Sequence, residues 1–440
     1  MAARSQMAMS LAFHIIFAAI GIGMPLLMLI AEGLWLRTRE EIYLTLAKRW
    51  AKGTAILFAV GAVSGTVLSF ELGLLWPGFM RFAGPIIGMP FSLEGFAFFT
   101  EAIFLGIYLY GWKRVSPLAH WLTGAMVALS GAISGVFVVT ANAWMNTPTG
   151  FRMENGQPVD IDPIAAMFNP SWFQQTLHMT IAAYLATGAA VAGIHAFLLL
   201  RHPRDTFHRR ALAIALAVMA VTAVLQPISG DHSAKVVAQT QPVKLAALEG
   251  QFTTERAAPL RIGGIPDPAT KTTRYALEIP GGLSFLAHGD FGAEVKGLDI
   301  VPPEDQPNTV VVHLAFQIMV AAGMALLGLG LLSGLLAWRA RRLPDQRWLL
   351  WLMVLASPLG FIAIEAGWVV TEVGRQPWVI YGLVRTADAV TPMPGLTVTF
   401  VTFTVLYLFL AAVVAWLMWT QIITAPAADL GHEEASHAVA

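Results

Sequence analysis

Nine stretches of the chain are apolar along nearly their whole length: 9–35, 54–79, 92–112, 118–142, 173–200, 211–229, 308–337, 348–371 and 395–421. A helix needs about 20 such residues to cross ~30 Å of hydrocarbon, so each stretch predicts one transmembrane helix. The first does not read as a cleaved signal peptide, because it lacks a small-residue cleavage site and runs on as a full span. Between the sixth and seventh lies the one polar segment of size, 230–307, rich in Pro and Gly (IGGIPDPAT, EIPGG, VPPEDQP) with short β-like runs such as TRYALEIP. An irregular segment of that length is commonly functional, so it is read as a site. The predicted organisation is 1–229 with six spans, 230–307 as a binding loop, 308–422 with three spans, and a disordered tail at 423–440. No internal repeat is visible, which argues against an inverted-repeat transporter.

Composition agrees with this pattern. Hydrophobic residues make up 56% of the 440 and charged residues 12%, half the charge of an ordinary soluble domain. The apolar content excludes a disordered chain. Lys and Arg number 27 and Asp and Glu 27, with no basic domain, so no nucleic-acid partner is expected. Cysteine is absent, which removes disulfides and Cys-held iron–sulfur clusters from the possibilities. Fifteen of the 27 basic residues crowd the short loops after spans one, three, five and seven, whereas seven are spread across 230–307. The positive-inside rule then puts those short loops and the C-terminus in the cytoplasm, and the N-terminus and 230–307 outside. The expectation is an all-α, multi-pass integral membrane protein.

Ionisable side chains inside spans are costly and mark function. They are His14 in span one, Glu94 and Glu101 in span three, His178 and His195 in span five, His313 in span seven with Met319 nearby, and Glu365 and Glu372 in span eight. The direction of each span puts His14, Glu94, His178, Met319 and Glu372 toward the outer side, beside the polar segment. A His–Met pair is a standard axial set for a low-spin electron-transferring haem, and a single His or carboxylate leaves a coordination position open. A lone intramembrane imidazole is more often a packing residue, and a lone Met is usually core filler. Spacing alone leaves both readings open.

The motifs FHIIF, LEGFAFFTEAIF, TANAWMNTP, TLHMTIAAYLATG, KLAALEG, AFQIMVAAG and EAGWVVTEVGRQPW follow one another from span one to residue 378. In content and order they resemble subunit I of the cytochrome bd quinol oxidases. The resemblance implies a nine-span haem-binding bundle, a quinol-binding outer loop and three haems. His178 and Met319 would be the axial ligands of haem b558. His14 and Glu372 would hold haem b595 and haem d, or a b-type haem in place of d, in an order left open. Trp368 would pack against that pair of haems and Arg375 would face a propionate. Lys244 and Glu249 in KLAALEG carry the family's quinol signature, an acid–base pair suited to a substrate that sheds protons as its electrons leave. Glu94 and Glu101 would carry protons from the cytoplasm, with Ser134 and Asn142 extending the polar line on span four. GDHSAK at 230–235 opens the same outer loop in this reading and carries no defined role.

Three departures from the family pattern stand out. Gln317 replaces an Arg that many members place two residues before the Met ligand, the Glu94–Glu101 interval is one shorter than in some relatives, and the outer loop is of the short kind. The short loop, with the wording of SLEGFAFFTEAIF, brings the chain closer to the members called cyanide-insensitive. The implied function is a quinol:oxygen oxidoreductase core that oxidises quinol at the outer face and reduces oxygen to water with cytoplasmic protons, electrogenic without being a proton pump. Its implied partners are quinol, oxygen, the lipid bilayer, a subunit II and a small single-span subunit. A haem-containing electron-transfer subunit that does not reduce oxygen is the alternative, and a non-redox transporter is a third.

Overall fold

The computed structural model describes residues 1–424. Among them, nine helical segments are long and apolar enough to cross a membrane, the number that the apolar pattern predicts. The tail expected to be disordered lies, from residue 425 onward, outside the described residues. The chain runs through α1 (Ala2–Thr38), α2 (Glu41–Leu75), α3 (Pro77–Tyr110) and α4 (Pro117–Asn146). A small hairpin of β1 (Arg152–Glu154) and β2 (Gln157–Val159) and the short α5 (Pro163–Met167) lead into α6 (Trp172–Arg201) and α7 (Thr206–Thr240). Ser116, Asp162, Asp205 and Asn308 each accept a backbone N–H at the start of a helix, which satisfies donors that the first turn leaves free.

Two expectations change here. GDHSAK does not open a loop but continues α7 to Thr240. Nothing in it breaks a helix, Pro227 before it stays within α7, and Asp231 pairs with Lys235 one turn on at 2.6 Å. The remainder, 241–308, is an organised cap rather than an irregular loop. It contains α8 (Pro242–Glu249) and three antiparallel two-stranded pairings. These are β3 (Glu255–Arg256) with β8 (Glu294–Val295), β4 (Leu260–Ile262) with β7 (Leu277–Ile279), and β5 (Ile265–Asp267) with β6 (Thr272–Arg274). With α9 (Gly282–His288) they close a core of Val243, Leu245, Leu248, Phe252, Leu283, Val295 and Leu298 around Val312 of the following helix. That apolar core is what orders a segment whose sequence reads as turns. Gly250 ends α8 at φ 63°, and a Cβ there would lie 2.4 Å from Thr273 Oγ1, so no larger residue fits.

The second half comprises α10 (Thr309–Ala340), α11 (Arg347–Ala356), α12 (Leu359–Val373), the β9 (Trp378–Ile380)/β10 (Val384–Arg385) hairpin, α13 (Thr386–Ala389) and α14 (Leu396–Met418). The eighth span is thus two helices, parted at Pro358, which has no N–H to continue the ladder. α6 lies at the centre: 72% of its membrane window is buried, more than in any other described span. It packs on α1, α4, α7, α11 and α12. Small residues make that possible, since a Cβ at Gly193 would meet Ser357 Cβ at 2.3 Å. Arg4 donates to Gln376 at 3.1 Å and Thr399 to Gln6 at 2.9 Å, so the N-terminus, the 374–378 segment and the start of α14 share one end of the bundle. Lys244 of the cap bonds to Asn146 at the end of α4. The basic turns lie elsewhere and pair with one another's acids, Arg210 with Glu40 at 3.0 Å and Arg209 with Asp345 at 2.9 Å.

Candidate functional site

His178 enters six residues into α6, about 9 Å along its axis. Its Nδ1 lies 2.9 Å from Ser229 Oγ on α7 and its Nε2 lies 3.0 Å from Gln226 Nε2. His14 on α1 has the same kind of neighbour, with Nδ1 3.0 Å from Ser64 Oγ on α2. Met319 on α10 turns its sulfur to α12, where a Cβ at Gly367 would stand 3.0 Å away. α7 and α12 each pack against both α6 and α10, so the same two helices bridge the His178 and Met319 elements. Trp368 is half-buried on α12, one turn before Glu372.

Glu372 anchors the most connected polar group at this end. Arg375 Nη2 donates to its Oε2 at 2.5 Å and Asn142 Nδ2 to its Oε1 at 2.6 Å. Asn146 Nδ2 donates to Asn142 Oδ1 at 3.1 Å, and Lys244 Nζ donates to Asn146 Oδ1. One line of hydrogen bonds therefore runs from KLAALEG to GRQPW through two asparagines of α4. Lys244 and Glu249 do not form a surface charge pair, as both are buried, at 3% and 4% exposure. Burial and the Arg375 guanidinium push the Lys244 ammonium well below its usual range, while Glu372 pulls it back. Burial raises the Glu249 carboxyl to about 7, opposed by Arg261. Its Oε2 has no partner among the described residues.

These donors fit haem. Arg375 is 1% exposed, yet its Nε and Nη1 have no partner among the described residues. Buried guanidinium donors are costly when left unpaired, and an anionic propionate is the kind of acceptor they suit. The imidazoles, thioether and carboxylate complete the ligand types that such a group requires.

Glu94 and Glu101 lie two turns apart on α3, against α4. Ser134 Oγ donates to Glu94 Oε1 at 3.1 Å, and the Glu101 carboxyl packs on Gly131, where a Cβ would come within 3.0 Å of it. Because the helix starts at Pro77, Glu94 sits at its midpoint rather than in an outer half. Asn142 shares α4 with Ser134 but bonds to Glu372, so α4 links both carboxylate groups.

Other residues singled out in the sequence do structural work. His313 bridges the Leu248 carbonyl at 2.7 Å and the Gly263 carbonyl at 3.0 Å, tying the cap to α10. Gln317 accepts from Gly263 N at 2.9 Å and donates to Arg261 O at 3.1 Å, a pair of backbone bonds that an Arg, with no acceptor, cannot make. His195 meets His208 at 3.1 Å on the side of the basic turns. Sequence reasoning missed Ser64, Ser229, Gln226 and Asn146, since small polar residues in spans ordinarily signal only packing. It also missed two buried acids, Glu71, held by Gln6 and Ser10, and Glu32, held by His120 at 2.8 Å.

A family profile for cytochrome bd terminal oxidase subunit I matches residues 2–426. The chain is 39% identical over 422 residues to a Bacillus subtilis (strain 168) protein provisionally named cytochrome bd menaquinol oxidase subunit I, covering 94% of this chain and 95% of that one. It is 33% identical over 447 residues to cytochrome bd ubiquinol oxidase subunit 1 of the same organism, covering 98% and 95%. Its structure is similar to that of the bd oxidase from Geobacillus thermodenitrificans, with a TM-score of 0.92, 39% identity and coverage of 97% and 98%. The chain is a multi-pass membrane protein and belongs to the family of cytochrome bd terminal oxidase subunit I, the quinol oxidase subunit of a respiratory terminal oxidase.

Proposed function

We propose that His178 and Met319 ligate the low-spin haem b558, and that His14 and Glu372 ligate the two high-spin haems, b595 and d or a b-type haem in place of d. The observation that carries this reading is the hydrogen-bonded line Lys244–Asn146–Asn142–Glu372–Arg375, which ties the quinol signature to the GRQPW segment. Bound haem supplies one-electron transfer and, where a coordination position is open, oxygen reduction. The protein supplies orientation and protons. Quinol binds at the 241–308 cap on the outer face, with the N-terminus outside and the C-terminus cytoplasmic.

Glu249 accepts a quinol proton, since a buried carboxyl titrating near neutrality is matched to that task. Lys244 does not contact the substrate in this reading. It holds Asn146, and through Asn142 the Glu372 carboxylate. Cytoplasmic protons pass by Glu101 to Glu94 and Ser134, and Asn142 on the same helix continues the polar line toward Glu372. Drawing protons from one side and releasing them on the other separates charge without a pump. A subunit II and a small single-span subunit complete the assembly, and the working substrates are quinol and oxygen.

Oxygen uptake by the purified complex, driven by reduced menaquinol or ubiquinol analogues across a pH series, tests this. The raised Glu249 carboxyl favours the folded protein when protonated; that contribution is full below 4.5 and is lost as pH rises through about 7. Quinol oxidation is therefore expected to gain an ionisation near pH 7 that Glu249→Gln removes, with kcat/KM lowered roughly 10²-fold or more. An unchanged pH profile in that variant contradicts the assignment of the base. Quinol oxidation without oxygen uptake contradicts the terminal reaction.

A further inference from the structure

Both candidate axial histidines are seated by the same dipeptide. Ser64-Gly65 of α2 faces His14, and Ser229-Gly230 of α7 faces His178. In each case the serine hydroxyl spends its proton on its own helix. Ser64 Oγ donates to Val60 O at 2.9 Å, and Ser229 Oγ to Gln226 O at 2.8 Å. With the proton committed there, the hydroxyl offers the ring a lone pair, an arrangement that suits hydrogen on Nδ1 and leaves Nε2 bare. At His178 the Gln226 amide nitrogen lies 3.0 Å from Nε2 and 3.3 Å from Nδ1, so it does not distinguish the two ring nitrogens, and the Ser229 contact alone does. The following glycine lies against the ring edge: a Cβ at residue 65 would crowd His14 Cε1 at 3.0 Å, whereas one at 230 would stand in ordinary contact with His178 Cε1 at 3.5 Å.

Ser-Gly alone does not make the device. At Ser134-Gly135 the hydroxyl serves Glu94 and the glycine faces Ile22 and Met179. Among the described residues, only the two copies opposite α1 and α6 meet an imidazole. They come from different helix pairs, so one local backbone feature does not account for both.

We propose that Ser64 and Ser229 are positioning residues that fix the tautomer and ring plane of His14 and His178, presenting Nε2 to iron. By accepting the Nδ1 proton they also strengthen the imidazole as a donor, which favours ferric iron and holds down the potential of the low-spin haem. The inference rests on the ligand assignment above and deepens it.

The test uses the haem-loaded complex in membranes. Ser229→Thr and Ser229→Val differ in a hydroxyl at nearly constant size, so packing is held level. The low-spin haem of the Val variant is expected to titrate at a more positive midpoint potential, and that of the Thr variant close to the parent. In Ser64→Ala, the iron–histidine stretch of the ferrous high-spin haem seen by resonance Raman is expected to move to lower frequency. Loss of haem in the Val variant with retention in Thr supports the proposal equally. Identical potentials in parent, Thr and Val with an unmoved stretch in Ser64→Ala overturn it, as does equal haem loss in Thr and Val, which would make the site one of packing. His178→Ala, measured in parallel, separates the two levels. If it keeps the low-spin signal, the ligand assignment falls and takes the proposal with it; if it loses that signal while the serine variants match the parent, only the serine role falls.

Discussion

His178→Ala is expected to lose the low-spin b-haem signal and to lower quinol-driven oxygen uptake by roughly 100-fold or more, the upper end of what the loss of even an outer-shell partner costs. The reasoning starts from position. α6 is the most enclosed described span, and the ring sits between α6 and α7 with one nitrogen bound to Ser229. Removing the ring leaves Ser229 still bonded to Gln226 O, so the fold loses the ring's contacts with Ser229 and Gln226, ~1 kcal/mol each. A membrane protein that stays assembled while it loses one haem and its turnover is the expected phenotype, read from reduced-minus-oxidised spectra and oxygen uptake on the same sample.

The second large effect is remote from its cause. Lys244→Met removes a buried ammonium from the α8 signature, and its consequence is expected at Glu372. Without Lys244, Asn146 Oδ1 loses its donor, and Asn146 is held only through its own amide to Asn142, whose amide in turn holds the Glu372 carboxylate at 2.6 Å. Turnover is expected to fall roughly 10–100-fold, as for other partners that orient a metal ligand, together with a changed high-spin haem spectrum. A lysine that touched only quinol would instead raise KM and leave that spectrum unchanged. Spectra of Lys244→Met and Glu249→Gln taken side by side distinguish the two roles.

Much of this was legible in the sequence, for identifiable reasons. Nine apolar stretches need no tertiary context, because hydrocarbon thickness alone fixes their length. His14, His178, Met319 and Glu372 could be named as candidate ligands only by resemblance, whereas Ser134 was placed on the line with Glu94 that the structure bonds. Contacts that depend on the register between helices were not legible. Ser64 and Ser229 are ordinary span residues until α2 and α7 are docked, and the docking is set by glycines whose role is to be absent in volume. Lys244 and Glu249 could be read as an acid–base pair but not as buried, because the apolar core beneath the 241–308 cap is assembled from single residues scattered between turns. His313 sat in the same span as Met319 as one more ionisable side chain, and both of its nitrogens lie against backbone carbonyls.

The claim on which the account turns is that one iron is shared by an α6 imidazole and an α10 thioether. Met319→Leu tests it with the least disturbance, since the exchange conserves volume and polarity. The spin state of the b-type haem in that variant, read by electron paramagnetic resonance and optical spectra with haem content measured on the same preparation, is the deciding observation. Conversion of the low-spin signal to high-spin at unchanged haem content is predicted. A low-spin spectrum identical to the parent's would contradict the assignment.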